Sequence, residues 1–247
     1  MTAIIGVFCK DGVVVGTDSS STFAAGQIRT IEQTTDKIHI IDGRIILAGT
    51  GPVGYTQRVN AVVEKVWANK GFKGSGLEVA KRISKESIED FNSTYGCRNP
   101  LNYGSLLAYP VENNHHLCEF DVNNFQPEMK TDRIWYCSMG SGQLITDPFL
   151  GFIREVFWQT GRPAVPDGVF AVTWSLEHVI TLNPAGVNGP INIAVLEKAQ
   201  DGKLHARVLD ESELGQHRQS VQAAKERLRG YKADLLPGPE TPTPPTR

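Results

Sequence analysis

TAIIGVFCKDGVVVGTD, residues 2–18, carries the pattern that decides the fold. Residues 3–7 read as a short apolar strand, Lys10-Asp11-Gly12 as a tight turn, and residues 13–17 as a second, mostly apolar strand. A valine run with no polar alternation suits a fully buried strand, so this hairpin is expected in the core. Residues 37–41, the turn Asp42-Gly43 and residues 44–48 repeat the same grammar with β-branched enrichment. The Thr/Ser-rich segment between the two hairpins carries no apolar pattern, so four strands are expected ahead of any helix.

Beyond the glycine-rich residues 49–54, Val59, Val62, Val63 and Val66 recur at helical spacing and predict an amphipathic helix. A second helix is expected over residues 75–92, with Leu77, Val79, Ile83, Ile88 and Phe91 as its apolar stripe. Strands follow at 103–109, 115–122 and 134–139, with a turn at Asn113-Asn114, then helices at 145–160 and 169–182. Strands at 191–198 and 205–209 and a polar helix at 211–231 close the pattern. Strands in the middle with helix pairs flanking them point to an α+β protein: a four-layer αββα sandwich of two stacked, mainly antiparallel sheets. A single domain over residues 1–235 is expected. Residues 236–247, LPGPETPTPPTR, read as a flexible proline-rich tail, with a docking motif for a partner as the alternative.

Composition narrows the function. The 247 residues can bury a sizeable core, and 40% hydrophobic with 21% charged residues is ordinary globular usage. A net charge of -2 without a basic stripe argues against nucleic acid. The apolar runs fall far short of the roughly 20 residues that cross a bilayer. Met1 leads straight into a strand without a secretory leader pattern, so a cytoplasmic protein is expected. Cys9, Cys97, Cys118 and Cys137 lack C-x-x-C pairing and read as reduced, buried thiols. His115-His116 has no third metal ligand at a recognisable spacing and reads as a solvent-facing pair near a turn; the glycines at 49–54 lack the G-K-[ST] of a phosphate loop.

Thr2 is the most informative chemical position. A strand starting directly after Met1 sets Thr2 at the end of a rigid element. Removal of Met1 gives one residue both a hydroxyl nucleophile and an α-amine base. Asp18 ends the second strand and Lys37 begins the third, so a folded sheet can bring both beside Thr2. A buried lysine there lowers the amine's pKa and stabilises a forming alkoxide, and a carboxylate keeps the lysine charged. The alternative for an arbitrary pair is a turn-capping Asp18 and a solvated Lys37.

These residues together resemble the proteasome β subunits and their bacterial relatives of the HslV and Anbu types. Residues 2–18 are similar to the family's opening pattern; DKIHIID at 36–42 resembles its lysine-bearing third strand, TGPVGYTQ at 50–57 its glycine turn into the first helix, and MGSGQ at 139–143 its S-G turn. The resemblance implies Thr2 as nucleophile, Asp18 and Lys37 as the charged pair, the Gly51 N–H as oxyanion donor and Ser141 as the hydroxyl bonded to the Thr2 amine. Gly51 is otherwise a turn glycine and Ser141 an N-cap serine. Thr22 falls where the family pairs with an extended substrate by strand addition. Residues 182–190, LNPAGVNGP, stand in place of the family's D-x-x-S-G-G, with Asn183 or Pro184 at the supporting aspartate and Val187 at the supporting serine.

What the resemblance implies is a threonine peptidase acting on peptide or unfolded protein in a homo-oligomeric ring or stack. It needs no metal or organic cofactor, and its regulator, an ATPase or otherwise, stays open. Two other readings stand beside it: a ring-forming scaffold with weak or absent catalysis, motivated by Pro184 and Val187, and an amidase of the same superfamily.

Overall fold

The computed structural model describes residues 2–25, 28–94, 101–159, 161–182 and 186–235. The proline-rich tail, Cys97, Asn183 and Pro184 lie outside them. The strands are β1 (Ile4–Phe8), β2 (Gly12–Thr17), β3 (Ser20–Ala25), β4 (Ile28–Thr34), β5 (Ile38–Ile41), β6 (Ile45–Thr50), β7 (Gly104–Val111), β8 (Asn114–Phe120), β9 (Pro127–Met129), β10 (Tyr136–Met139), β11 (Asn192–Lys198) and β12 (Leu204–Val208). The helices are α1 (Val53–Ala68), α2 (Gly76–Ser93), α3 (Gln143–Phe157), α4 (Val165–Leu182) and α5 (Glu211–Leu235).

Two five-stranded antiparallel sheets, ordered β10-β1-β2-β11-β12 and β5-β6-β7-β8-β9, face each other. Three apolar layers hold the stack. Ile4, Val13 and Val15 meet Ile46, Leu106 and Leu117 between the sheets. On the far side of the first sheet, Ile5, Val7 and Val14 pack against α3 and α4, with Leu214 and Val221 of α5 in the same cluster. On the far side of the second sheet, Leu47, Leu107 and Tyr109 pack against Val59, Val63, Val79 and Ile83 of α1 and α2. The four-layer αββα sandwich is therefore present. The unbroken apolar run in β2 has its cause here: Val13 and Val15 face the partner sheet while Val14 faces the helices, so successive side chains are buried on opposite sides.

Several local expectations need correction. Six strands, not four, precede α1. The additional pair, β3 and β4, forms a separate two-stranded sheet across the polar segment. Its exposed Ile31, Glu32, Gln33 and Thr34 cover no core and so leave no alternation to detect. Strand β9 has three residues and opens on Pro127, too short for any period. Helix α4 starts at Val165, four positions early, because Pro166 in its first turn is compatible with helix entry. Leu77 is exposed, whereas Val79, Ile83 and Phe91 carry the buried face of α2, which opens on a capping box of Ser75 and Glu78. His115 and His116 are half-buried rather than solvent-facing. The His115 Nε2 lies 3.1 Å from the Cys9 carbonyl oxygen and its ring packs on Phe8, while His116 packs on Tyr109. Cys9, Cys118 and Cys137 are buried free thiols.

Gly16 keeps α4 close to the sheet: a Cβ there would lie 2.3 Å from Val172 Cγ1, inside a packed layer. Gly54 in α1 has open space around it. Gly16→Ala is expected to lower stability by about 1–3 kcal/mol through overpacking, and Gly54→Ala to raise it by about 0.5–1 kcal/mol. Urea unfolding midpoints of the two variants should move in opposite directions.

Candidate active site

Strand register brings Thr2 to its neighbours. Ile4 pairs with Thr17 of β2 and with Met139 of β10, so continuing both antiparallel ladders past their ends sets Thr2 beside Ser19 on one side and Ser141 on the other. Gly140 makes the second approach possible. Its φ is +88° and a Cβ would lie 2.3 Å from the Thr2 carbonyl oxygen, so only glycine fits. The Gly142 N–H donates to that same oxygen at 3.1 Å. The Thr2 nitrogen donates to Ser141 Oγ at 3.2 Å. Behind this turn, Thr146 Oγ1 donates to Ser138 Oγ at 2.7 Å, which in turn donates to Asp147 Oδ1 at 2.5 Å, stiffening the entry to α3. The N-cap of α3 is Gly142, which excludes the capping role for Ser141.

Lys37 precedes β5 in the opposite sheet and reaches across the end of the sandwich. Its Nζ donates to Asp18 Oδ1 at 2.7 Å and to Thr2 Oγ1 at 3.2 Å. Asp18 has no exposed surface and the Lys37 side chain is 7% exposed, so neither charge is solvated. Burial pushes the Lys37 ammonium below the ordinary lysine value, while the neighbouring charges of Asp18 and Glu32 oppose that shift. Asp18 is also fixed by backbone donors: Ala3 N–H at 2.9 Å to Oδ1, and Ser20 N–H at 3.1 Å and Asn188 N–H at 3.4 Å to Oδ2. Lys37 is therefore not solvated, and Asp18 caps the turn at Ser20 while also pairing with Lys37.

Gly51 follows β6 at the same end of the sandwich as Lys37, because β5 and β6 pair antiparallel with Ile38 opposite Ala48. Its φ of +113° and the 2.4 Å that would separate a Cβ from the Asn102 carbonyl oxygen restrict the position to glycine. Thr22 stands farther along β3, register-paired with Glu32. The structure thus gathers Thr2, Asp18, Lys37 and Ser141 into one hydrogen-bonded set, sets Gly51 at the same end, and holds Thr22 on the adjoining hairpin. A surface groove between α1 and α2, past Arg58, Lys81 and Glu86, includes none of these residues. No cluster of three or more His, Cys, Asp or Glu suited to a metal occurs among the described residues.

The family model for the proteasome subunit matches residues 2–150. The chain belongs to the proteasome subunit family. No curated protein sequence matches it. Among solved structures, an Anbu Gly-1 mutant from Hyphomicrobium sp. strain MC1 aligns over 97% of this chain and 100% of its own, with a TM-score of 0.69 at 12% identity. Anbu, an ancestral β-subunit, from Yersinia bercovieri aligns over the same shares with a TM-score of 0.66 at 14% identity. At such identity the likeness is one of fold. What the chain shares with these proteins is the proteasome-like αββα fold.

Within that family scaffold the loop before β11 differs from the usual pattern. Val187 is buried in the apolar cluster that contains Ala3, so it supplies packing and no hydroxyl. The neighbouring residue acts instead: Asn188 accepts from Ser19 N–H at 3.0 Å, donates its own N–H to Asp18, and donates its side-chain amide to Glu32 Oε1 at 3.0 Å. Ser20, Glu32 and Asn188 were not legible in sequence, since they come from three separate segments with no shared spacing. Removal of one partner from a buried ion pair costs about 3–5 kcal/mol. Lys37→Ala is expected near the lower end of that range, because three backbone N–H groups still hold Asp18. Urea unfolding at neutral pH reads the loss.

Proposed function

We propose that the chain is a threonine-type peptidase whose nucleophile is Thr2 after removal of Met1. The observation that carries this reading is the Lys37 Nζ held between Asp18 Oδ1 at 2.7 Å and Thr2 Oγ1 at 3.2 Å. Thr2 Oγ1 attacks the substrate carbonyl carbon and passes its proton to the free Thr2 amine. That amine has a reference pKa of about 7.7–8.0, so a useful fraction is neutral near pH 7. Lys37, kept charged by Asp18, stabilises the developing alkoxide and lowers the amine's pKa further. Ser141 orients the amine. The Gly51 N–H faces the oxyanion of the tetrahedral intermediate, a contact worth about 3 kcal/mol in such sites. Collapse breaks the C–N bond, the leaving amine takes the proton, and an ester on Thr2 remains. Water then attacks that ester, the amine again accepts the proton, and Thr2 Oγ1 is released.

Residues 2–235 act as one unit in this reading, with residues 236–247 as an appended tail. The substrate is an extended peptide or unfolded protein aligned along Thr22. The enzyme works in the cytoplasm in a homo-oligomeric ring or stack that shields the site from folded proteins. The apolar burial of Val187 is the observation that favours the second reading, a ring-forming scaffold with little catalysis.

An epoxyketone requires a hydroxyl and a free α-amine on one residue. Intact mass is expected to show a chain lacking Met1 that gains one inhibitor, and Thr2→Ala is expected to abolish both adduct and turnover without unfolding. A chain that keeps Met1, or a processed chain that stays unmodified, favours the scaffold. The pH profile of kcat/KM is expected to be bell-shaped. Its acid limb follows the Thr2 amine at or below about 7.7–8.0. Its alkaline limb follows Lys37 and falls below the ordinary lysine value of 10.5, because burial favours loss of that proton.

A further inference from the structure

We propose that Glu32 is a positioning residue: its carboxylate clamps Ser20 and Asn188, whose backbone N–H groups hold the second oxygen of Asp18, and so fixes the Asp18–Lys37 pair against Thr2. The inference rests on the peptidase reading for its consequence in catalysis, and on geometry for the clamp itself. Glu32 Oε1 accepts from Ser20 Oγ at 2.7 Å and from Asn188 Nδ2 at 3.0 Å. Those two residues donate their N–H groups to Asp18 Oδ2 at 3.1 and 3.4 Å. One oxygen of Glu32 therefore ties the start of β3 and the loop before β11 to β4, and both tied segments end on the same buried carboxylate.

An exposed glutamate in a surface hydrogen bond normally contributes little. Glu32 differs in what its partners touch. Asp18 is wholly buried, and its two oxygens are held by different structures: Oδ1 by Lys37 and the Ala3 N–H, Oδ2 by the two clamped residues. Loss of the clamp frees the Oδ2 side alone, letting the carboxylate rotate away from Lys37. A displacement of about 1 Å in such a group can cost about 100-fold in rate.

Charge supplies a second effect. Residues 182–190 contain no carboxylate, and Glu32 of β4 brings a negative charge to this side of the site. Charged groups acting on the Lys37 ammonium include Asp18, just after β2, and Glu32 of β4, and the Thr2 hydroxyl accepts from it. Asp36, the chain neighbour of Lys37, accepts from Asn192 instead. Glu32 thus favours the protonated form of Lys37, opposing the effect of burial. Glu32 also stands opposite Thr22 in the hairpin register, so the strand expected to align substrate and the support of Asp18 share one residue pair.

The test uses Glu32→Ala, which removes clamp and charge, and Glu32→Gln, which keeps an acceptor oxygen without charge. Wild type and both variants are followed by intact mass for the rate of epoxyketone addition across pH. In a Thr2→Ala background, Lys37 is titrated by NMR of 13Cε-labelled lysine, a readout independent of catalysis. Glu32→Ala is expected to slow addition about tenfold or more. Glu32→Gln is expected to recover part of that rate with its alkaline limb at lower pH, and both variants to lower the Lys37 titration midpoint. Wild-type rates and an unshifted midpoint in both variants overturn the role of Glu32 while leaving Thr2 as nucleophile. If wild type takes no adduct, the peptidase reading fails, and the Lys37 midpoint still decides the clamp: a larger fall in Glu32→Ala than in Glu32→Gln sustains it, and equal or absent falls overturn it.

Discussion

A lysine ammonium and an aspartate carboxylate, 2.7 Å apart and shut away from water, are the constraint around which this end of the molecule is built. Such a pair in a low-dielectric site is tolerable only when its remaining valences are satisfied, because desolvation of two ions costs several kcal/mol each. The fold meets the demand from four directions. The residue before β1 gives the Ala3 N–H, β3 gives Ser20, the loop before β11 gives Asn188, and the segment entering β5 of the opposite sheet contributes Lys37 itself. Thr2 Oγ1 completes the ammonium's contacts. The charged pair therefore explains why strands from both sheets must end together here.

The sandwich supplies that convergence through register. Antiparallel pairing of β1 with β2 and β10 makes Asp18 and Ser141 neighbours of the first residues of the chain without any long side chain having to reach. Lys37 crosses between sheets at the margin of the inter-sheet apolar layer, where Ile38 still belongs to the core. Two glycines in left-handed conformations, Gly51 and Gly140, allow backbone to approach where a Cβ would collide with carbonyl oxygens. Rigid packing behind and glycine in front leave the Thr2 hydroxyl and nitrogen with defined partners.

What could be read from the sequence follows from which residues carry a period. The β1–β2 and β5–β6 hairpins and the faces of α1 and α2 were legible because burial repeats along each element, as Val59, Val62, Val63 and Val66 do. Asp18 and Lys37 were legible as a pair because they stand at strand ends whose positions those periods fix. The β3–β4 hairpin escaped because its residues 30–34 are exposed and its first pairs, Ser20 with Thr34, Ser21 with Gln33 and Thr22 with Glu32, are polar. His115 and His116 were misplaced because their burial comes from contacts far along the chain, with Cys9 for one and Gly76 for the other. Glu32 and Asn188 escaped for the same reason: a clamp between residues 156 apart in sequence leaves no local spacing.

The β3–β4 pair stands outside both five-stranded sheets, and its exposed residues 30–34 contribute nothing to the three apolar layers. Units with few buried apolar contacts open at free energies well below that of global unfolding. The molecule therefore has two stabilities: that of the sandwich, set by close packing, and that of the hairpin, whose residues 30–34 are exposed. Because Ser20 and Glu32 belong to the less stable unit, a sub-global opening of the hairpin disconnects one oxygen of Asp18 while the sheets remain intact. Amide hydrogens of β3 and β4 then exchange ahead of those in β1 and β2, and the geometry around Thr2 is lost under milder conditions than the fold.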